Sequence, residues 1–138
     1  MKRMIRSTAA LVLALGVTSA VAQNYPSKPV KVIVPFGTGS ASDVIGRTIA
    51  DRLTVALGQP FIVENRPGAG GTIGSDIVAK SAPDGYTLLV TTAATPISAT
   101  AFRNLKYDTA AFTSITVLTH SPLGFAANPS FAPKTVPE

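Results

Sequence analysis

The spacing of apolar positions along the chain changes several times, and each change predicts an element. Val30 to Val34, VKVIV, is a β-branched run closed by Pro35 and reads as a buried strand. From Asp43 to Leu57 the period becomes helical. Ile45, Ile49, Leu53 and Leu57 recur four apart, with Val44 and Ala56 beside them and Arg47 and Asp51 on the other face. Ser40 or Ser42 can cap this helix, Gly58 suits its left-handed stop, and Pro60 prevents continuation. Phe61 to Glu64 is a short second strand. Ile73, Ile77 and Val78 mark a helix over Thr72 to Ser81, with Asp76 early and Lys80 late as the helix dipole favours. After a Pro83-Asp84-Gly85 turn, Tyr86 to Val90 reads as a third strand, followed by a short helix around Ile97 to Phe102. Ile115 to Leu118 and Leu123 to Ala127 are expected as two further strands, and the tail beyond Asn128 has no period.

Alternating strands and helices imply parallel strands joined by right-handed crossovers, so the fold class is α/β. In such sheets ligands bind outside the carboxyl ends of the strands. Loops 35–43, 65–73 and 91–96 all leave carboxyl ends and are expected to line one crevice.

Composition removes whole classes of chemistry. Among 138 residues there is no Cys, no Trp and a single His. A disulfide scaffold, a thiolate metal site and a Cys nucleophile are excluded, as is any site needing two imidazoles. The net charge of +5 invites a nucleic-acid reading, but its placement argues otherwise. Lys2, Arg3 and Arg6 precede an uncharged apolar stretch from Ala9 to Val17, and Ala20-Val21-Ala22 supplies a small-x-small site before Gln23. That is the build of a secretory signal peptide over residues 1–22, with an apolar stretch too short for a membrane anchor. The remaining cations are scattered and nearly balanced by acids, so no nucleic-acid partner is expected.

The loops carry the candidate chemistry. Gly37 and Gly39 in the first, and Gly68, Gly70 and Gly71 in the second, allow backbone to approach a ligand closely. Each loop feeds a helix N-terminus, where free N–H groups attract an anion. Ser40, Ser42, Thr72, Thr92 and Thr95 add hydroxyls, and the first loop has no Lys or Arg. Such a site suits a carboxylate better than a triphosphate, although glycine-rich turns also serve simply to connect strands to helices. Neither a dinucleotide fingerprint nor a phosphate-binding Gly-Lys-Ser/Thr motif is present. Asp43 either complements the helix dipole or accepts a ligand ammonium or hydroxyl. Arg66 pairs with Glu64 or reaches an anion, with pairing favoured, and Phe36 reads as core.

The segments YPSKPVKVIVPFGTGSASD, LGQPFIVENRPGAGGTIGSDIVAKSAPDGYTLL and NLKYD together closely resemble the Bug family, the TctC-like receptors of tripartite tricarboxylate transporters. The resemblance covers nearly all of the chain after the leader. It implies a periplasmic receptor of the type II binding-protein fold, in which two α/β lobes flank a cleft for a small carboxylate. It implies no enzyme activity, no cofactor and no metal, a monomer at full length, and membrane subunits of a transporter as partners. Carried over by position, the ligand-binding residues are Phe36, Gly37, Thr38, Gly39, Ser40, Ser42 and Asp43, then Gly70, Gly71 and Thr72, then Thr92 and Thr95. Family members often have Pro and further Gly in the first loop, where this chain has Gly37, Thr38, Ser40, Ala41 and Ser42.

Family members are more than twice as long. The resemblance therefore implies an incomplete N-terminal lobe over residues 23–128, the start of a crossover over 129–138, and no second lobe to close the cleft. Two alternatives are a remnant without independent activity and a small secreted hydrolase using Ser40 or Ser42 with His120. The second lacks a Gly-x-Ser-x-Gly elbow.

Overall fold

Strand β1 (Val30–Val34) is the centre of a three-stranded parallel sheet in the computed structural model, which describes residues 25–122 together with 124, 126, 128 and 130. It pairs with β2 (Phe61–Asn65), Val30 opposite Phe61 and Val34 opposite Asn65. On its other edge it pairs with β3 (Thr87–Leu89), Lys31 opposite Thr87 and Ile33 opposite Leu89. The third strand is shorter than the pattern predicts, yet its ladder is not. Lys31 N–H donates to Tyr86 O and Val90 N–H to Ile33 O, both at 2.9 Å.

The order β2-β1-β3 means that the chain steps off β1 in one direction and returns past it in the other. Right-handed crossovers then place helices α1 (Ala41–Leu57) and α2 (Thr72–Ala79) on opposite faces of the sheet. The described residues thus form one lobe, a parallel sheet flanked by helices.

Helix α1 covers the face that carries Val30 and Val32, which form the core with Ala50 and Phe61. Leu53, Val63, Tyr86, Leu88 and Val90 pack around them. The stripe of α1 that meets the sheet is not centred on the predicted Ile45–Leu57 ridge. Asp43, Gly46 and Ala50 are buried, Ile45, Ile49 and Leu53 are half-buried, and Val44 and Leu57 are exposed. A methyl group at Gly46 would stand 3.2 Å from Val34 Cγ2, so small residues let the helix axis approach while larger ones flank the contact.

The helix boundaries follow their caps. Ser40 Oγ accepts the Asp43 N–H at 3.3 Å, which selects Ser40 over Ser42 and starts α1 two residues earlier than its apolar period. At the other end Gly58 takes φ 70° and its N–H closes on Thr54 O. Helix α2 stops two residues short of Ser81, whose hydroxyl donates to Ile77 O at 2.8 Å. Asp76 and Lys80, read as dipole complements, also pair with each other at 2.7 Å. Helix α3 (Ala94–Ala101) begins three residues before the predicted Ile97.

The expected strand at Ile115 to Leu118 is absent. This stretch lies in no ladder, with Ile115 76% and Val117 67% exposed. A β-branched run becomes a strand only when another strand satisfies its backbone, and none does so here among the described residues. The other expected strand, Leu123 to Ala127, falls on positions of which 123, 125 and 127 lie outside the described residues, as do the leader and nearly all of 129–138. Among the described residues no helix is long and apolar enough to cross a membrane.

Candidate functional site

In a parallel sheet all carboxyl ends lie at one edge, so the loops after β1, β2 and β3 emerge together. The structure brings them into contact. A methyl group on Gly71 would stand 3.5 Å from both Phe36 Cζ and Pro35 Cβ, joining the second loop to the first. One on Gly70 would stand 3.7 Å from the Phe102 ring just past α3. Ser75 Oγ of α2 lies 3.5 Å from Thr95 Oγ1 of α3. Between the first loop and α2 the closest approach is at Gly74. There a Cβ would sit 2.8 Å from Pro35 Cβ and 2.9 Å from the Arg66 carbonyl, so only glycine admits the first turn of α2 against these loops.

The first loop is organised from beneath by a polar cluster. Asp43 is 2% exposed, and its Oδ2 accepts the Gly39 N–H at 2.9 Å. Its Oδ1 accepts Asn65 Nδ2 at 2.8 Å and pairs with Arg47 Nη2 at 3.0 Å. Asn65 also donates to the Phe36 carbonyl at 3.0 Å and accepts from Arg47 at 2.8 Å. The Arg47 hydrogen bond, then the Gly39 N–H, then Asn65 hold the Asp43 carboxyl down at about 2. Of the two roles open to Asp43, the geometry supports an internal one. Both its oxygens serve the chain's own groups, and the residue is almost wholly buried.

The remaining candidates divide into those facing outward and those turned in. Gly37, Thr38 and Gly39 are exposed, Phe36 and Ser40 are half-buried, and Ser42 is buried. The Ser40 hydroxyl is committed to its cap. The N–H groups of Ala41 and Ser42, in the first turn of α1, have no acceptor among the described residues. In the second loop Gly70 is exposed, Gly71 is buried, and Thr72 Oγ donates to Ala69 O at 3.0 Å. In the third, Thr92 is exposed and its hydroxyl accepts the Ala94 N–H at 3.2 Å. Thr95 is turned inward, 2.8 Å from the Thr91 hydroxyl.

This edge of the sheet therefore presents N–H and hydroxyl donors, and the Arg47 and Arg66 guanidiniums are already paired. Arg47 is bound to Asp43 and Asn65, and Arg66 pairs with Glu64 at 2.9 Å, which holds the Glu64 carboxyl below its usual range. No cluster of metal-ligating side chains occurs among the described residues. The hydrolase arrangement is not assembled. Ser40 Oγ is an acceptor in the helix cap, Ser42 is buried, and His120 is exposed on a segment outside any element. A shallow depression of about 310 Å³ lies at the opposite, amino end of the strands, lined by Lys28, Lys31, Asp84, Tyr86 and their neighbours.

Asn65, Arg47 and Gly74 escape the sequence reading. Asn65 reads as the first residue of the second loop but ends β2, Arg47 reads as solvated helix surface, and Gly74 reads as a residue of the predicted helix. The partners of Asn65 and the Pro35 contact of Gly74 lie 18 to 39 positions away along the chain, so no local pattern marks either residue, and Arg47 is marked only by its i,i+4 spacing from Asp43.

Comparison with known proteins assigns the frame. The family model described as the tripartite tricarboxylate transporter family receptor, TctC, matches residues 45–138. The protein BugT of Bordetella pertussis is 43% identical over 99 residues, covering 71% of this chain and 30% of BugT. The structure of R. palustris Rpa4515 with adipate is 39% identical with a TM-score of 0.57, covering 62% of this chain and 29% of that one. MatC (Rpa3494) from Rhodopseudomonas palustris with bound malate is 38% identical with a TM-score of 0.52 over the same shares. The chain spans less than a third of the length of these three proteins. The matched family and the arrangement of sheet and loops agree, and the chain belongs to the TctC family of tripartite tricarboxylate transporter receptors.

Proposed function

We propose that this chain supplies carboxylate-binding loops of a periplasmic solute receptor serving a tripartite tricarboxylate-type transporter. The observation that carries the reading is the convergence of three loops at one sheet edge, offering N–H and hydroxyl donors with the Arg47 and Arg66 guanidiniums already paired. Such a surface satisfies a carboxylate oxygen through hydrogen bonds that contribute about 1.5–3 kcal/mol each when the acceptor is charged. The relatives with adipate and with malate support the ligand class.

Within this reading the ligand contacts come from Gly37, Thr38, the Ala41 and Ser42 amides, Gly70 and Thr92. Phe36, Gly39, Ser40, Asp43, Gly71, Thr72 and Thr95 hold those contacts in place, Gly39 through its N–H on Asp43. Asp43 orients the first loop instead of receiving an ammonium group. The leader over residues 1–22 directs the protein to the periplasm, and transporter membrane subunits receive the ligand.

Calorimetric titration of the full protein with di- and tricarboxylates, nicotinate and acidic amino acids tests the proposal. Saturable binding of at least one acid, weakened by Thr38→Val or Thr92→Val, is expected. Silence across the whole panel would sink it.

A further inference from the structure

We propose that Asn65 is a positioning residue for the proposed carboxylate site, holding the first loop in its ligand-facing shape from the carboxyl end of β2. A neutral Asn side chain has two N–H donors and an oxygen with two acceptor directions. Here all four are engaged, and every partner lies in the segment 36–47. Nδ2 donates to the Phe36 carbonyl at 3.0 Å and to Asp43 Oδ1 at 2.8 Å. Oδ1 accepts from Arg47 Nη2 at 2.8 Å and, more weakly, from the Thr38 hydroxyl at 3.4 Å. The neighbours fix the orientation of the amide. A carbonyl and a carboxylate stand on one side and a guanidinium on the other, so a flipped amide would set like against like.

The register explains why this residue can reach. Val34, the last residue of β1, lies opposite Asn65, so the side chain ends beside the chain as it leaves β1. From there it ties the start of the loop at Phe36 to the start of α1 at Asp43 and Arg47. Asp43 in turn holds the Gly39 N–H at 2.9 Å, at the exposed crest of the loop. One amide thus connects sheet, loop and helix, while making no ligand contact of its own.

The chemistry selects Asn over its closest analogue. In Asn65→Asp an oxygen replaces Nδ2 and meets Asp43 Oδ1 at hydrogen-bond distance. Two carboxylates so close cannot both ionise without cost, and one of them gains a raised pKa. The charged groups facing this point are Asp43 and Arg47 of α1. Glu64 and Arg66, adjacent in sequence, are paired with each other, and Lys31 of β1 lies 3.8 Å from Glu64. Uptake of one proton would restore a donor between the two carboxylates.

The affinity arm of the test rests on the carboxylate reading, and the amide-exchange arm does not. Wild-type, Asn65→Asp and Asn65→Ala forms of the full protein are titrated with malate, adipate and citrate from pH 5 to pH 8. Exchange of the Gly39 amide is followed without ligand in the same proteins. Asn65→Asp is expected to bind at least tenfold more weakly than wild type at pH 8 and to recover most of that loss by pH 5. Asn65→Ala is expected to bind tenfold more weakly at every pH. In both, Gly39 protection at neutral pH falls about tenfold while the β1 amides Val32 and Ile33 keep theirs. That last comparison separates positioning from a general loss of folding. Wild-type Gly39 protection in both variants overturns the proposal, as does unchanged affinity wherever the wild type binds. If the wild type binds none of the three acids, the carboxylate reading is weakened while Gly39 exchange still decides the role of Asn65. If Asn65→Asp fails to fold, Asn65→Ala decides it alone.

Discussion

Val30–Val34 and Ile115–Leu118 are both short β-branched runs, and only the first is a strand. VKVIV lies between two parallel neighbours and beneath a helix, with Val30 and Val34 fully buried. ITVL belongs to no ladder, and Ile115 and Val117 are largely exposed. The intrinsic preference of the residues is similar, so the difference is one of partners. A strand needs hydrogen-bonding neighbours for its backbone and an apolar surface for its face. The loops teach the same lesson. The segment leaving β1 is braced by Asp43, Asn65 and Arg47, whereas the segment after Phe112 carries no comparable network among the described residues.

Four measurements would break or sharpen this contrast. The largest effect is expected from Ile33→Ala, which removes a buried side chain from the central strand. Denaturant unfolding should show a loss of about 2–5 kcal/mol. Gly74→Ala follows, at about 1–3 kcal/mol by the same assay, because its methyl group meets Pro35 and the Arg66 carbonyl. If either substitution is neutral, the central strand and its loops are not the packed half of the molecule. Acid should loosen the first loop next. The Asp43 carboxyl is held at about 2, below its ordinary value, so its contribution is fully present above that ordinary value. It is lost as pH falls toward 2, and the Gly39 amide resonance should report the change. Asp43→Asn should abolish that titration. The smallest effect is expected from Val117→Ser, within about 0.5 kcal/mol, since the side chain is already in water. A large loss there would mean that the run is buried in the full protein.

Much of the sheet was legible because strands and helices alternate with clear changes of period. β1, β2 and β3 fall where the β-branched and aromatic runs place them, and α1 ends at Gly58 as its sequence requires. The face of α1 was less legible. Periodicity marks large apolar residues, while close packing on a sheet selects small ones such as Gly46 and Ala50. The three loops were also legible as a group, since parallel strands carry their carboxyl ends to a common edge. The direction of each side chain within them was not. Asp43 and Thr95 have the composition of ligand contacts, yet both turn inward to satisfy the chain's own polar groups.

By itself, the sequence determined the fold class, the left-handed stop of α1 at Gly58 and the loops that emerge at the carboxyl edge. Each of these depends on residues close together along the chain, where period and φ preference are already expressed. Only the tertiary structure decided which β-branched run became a strand, and which polar residue of the first loop was consumed in bracing it. Those outcomes depend on neighbours brought together by strand register, as Asn65 is brought opposite Val34, and register is a property of the assembled sheet.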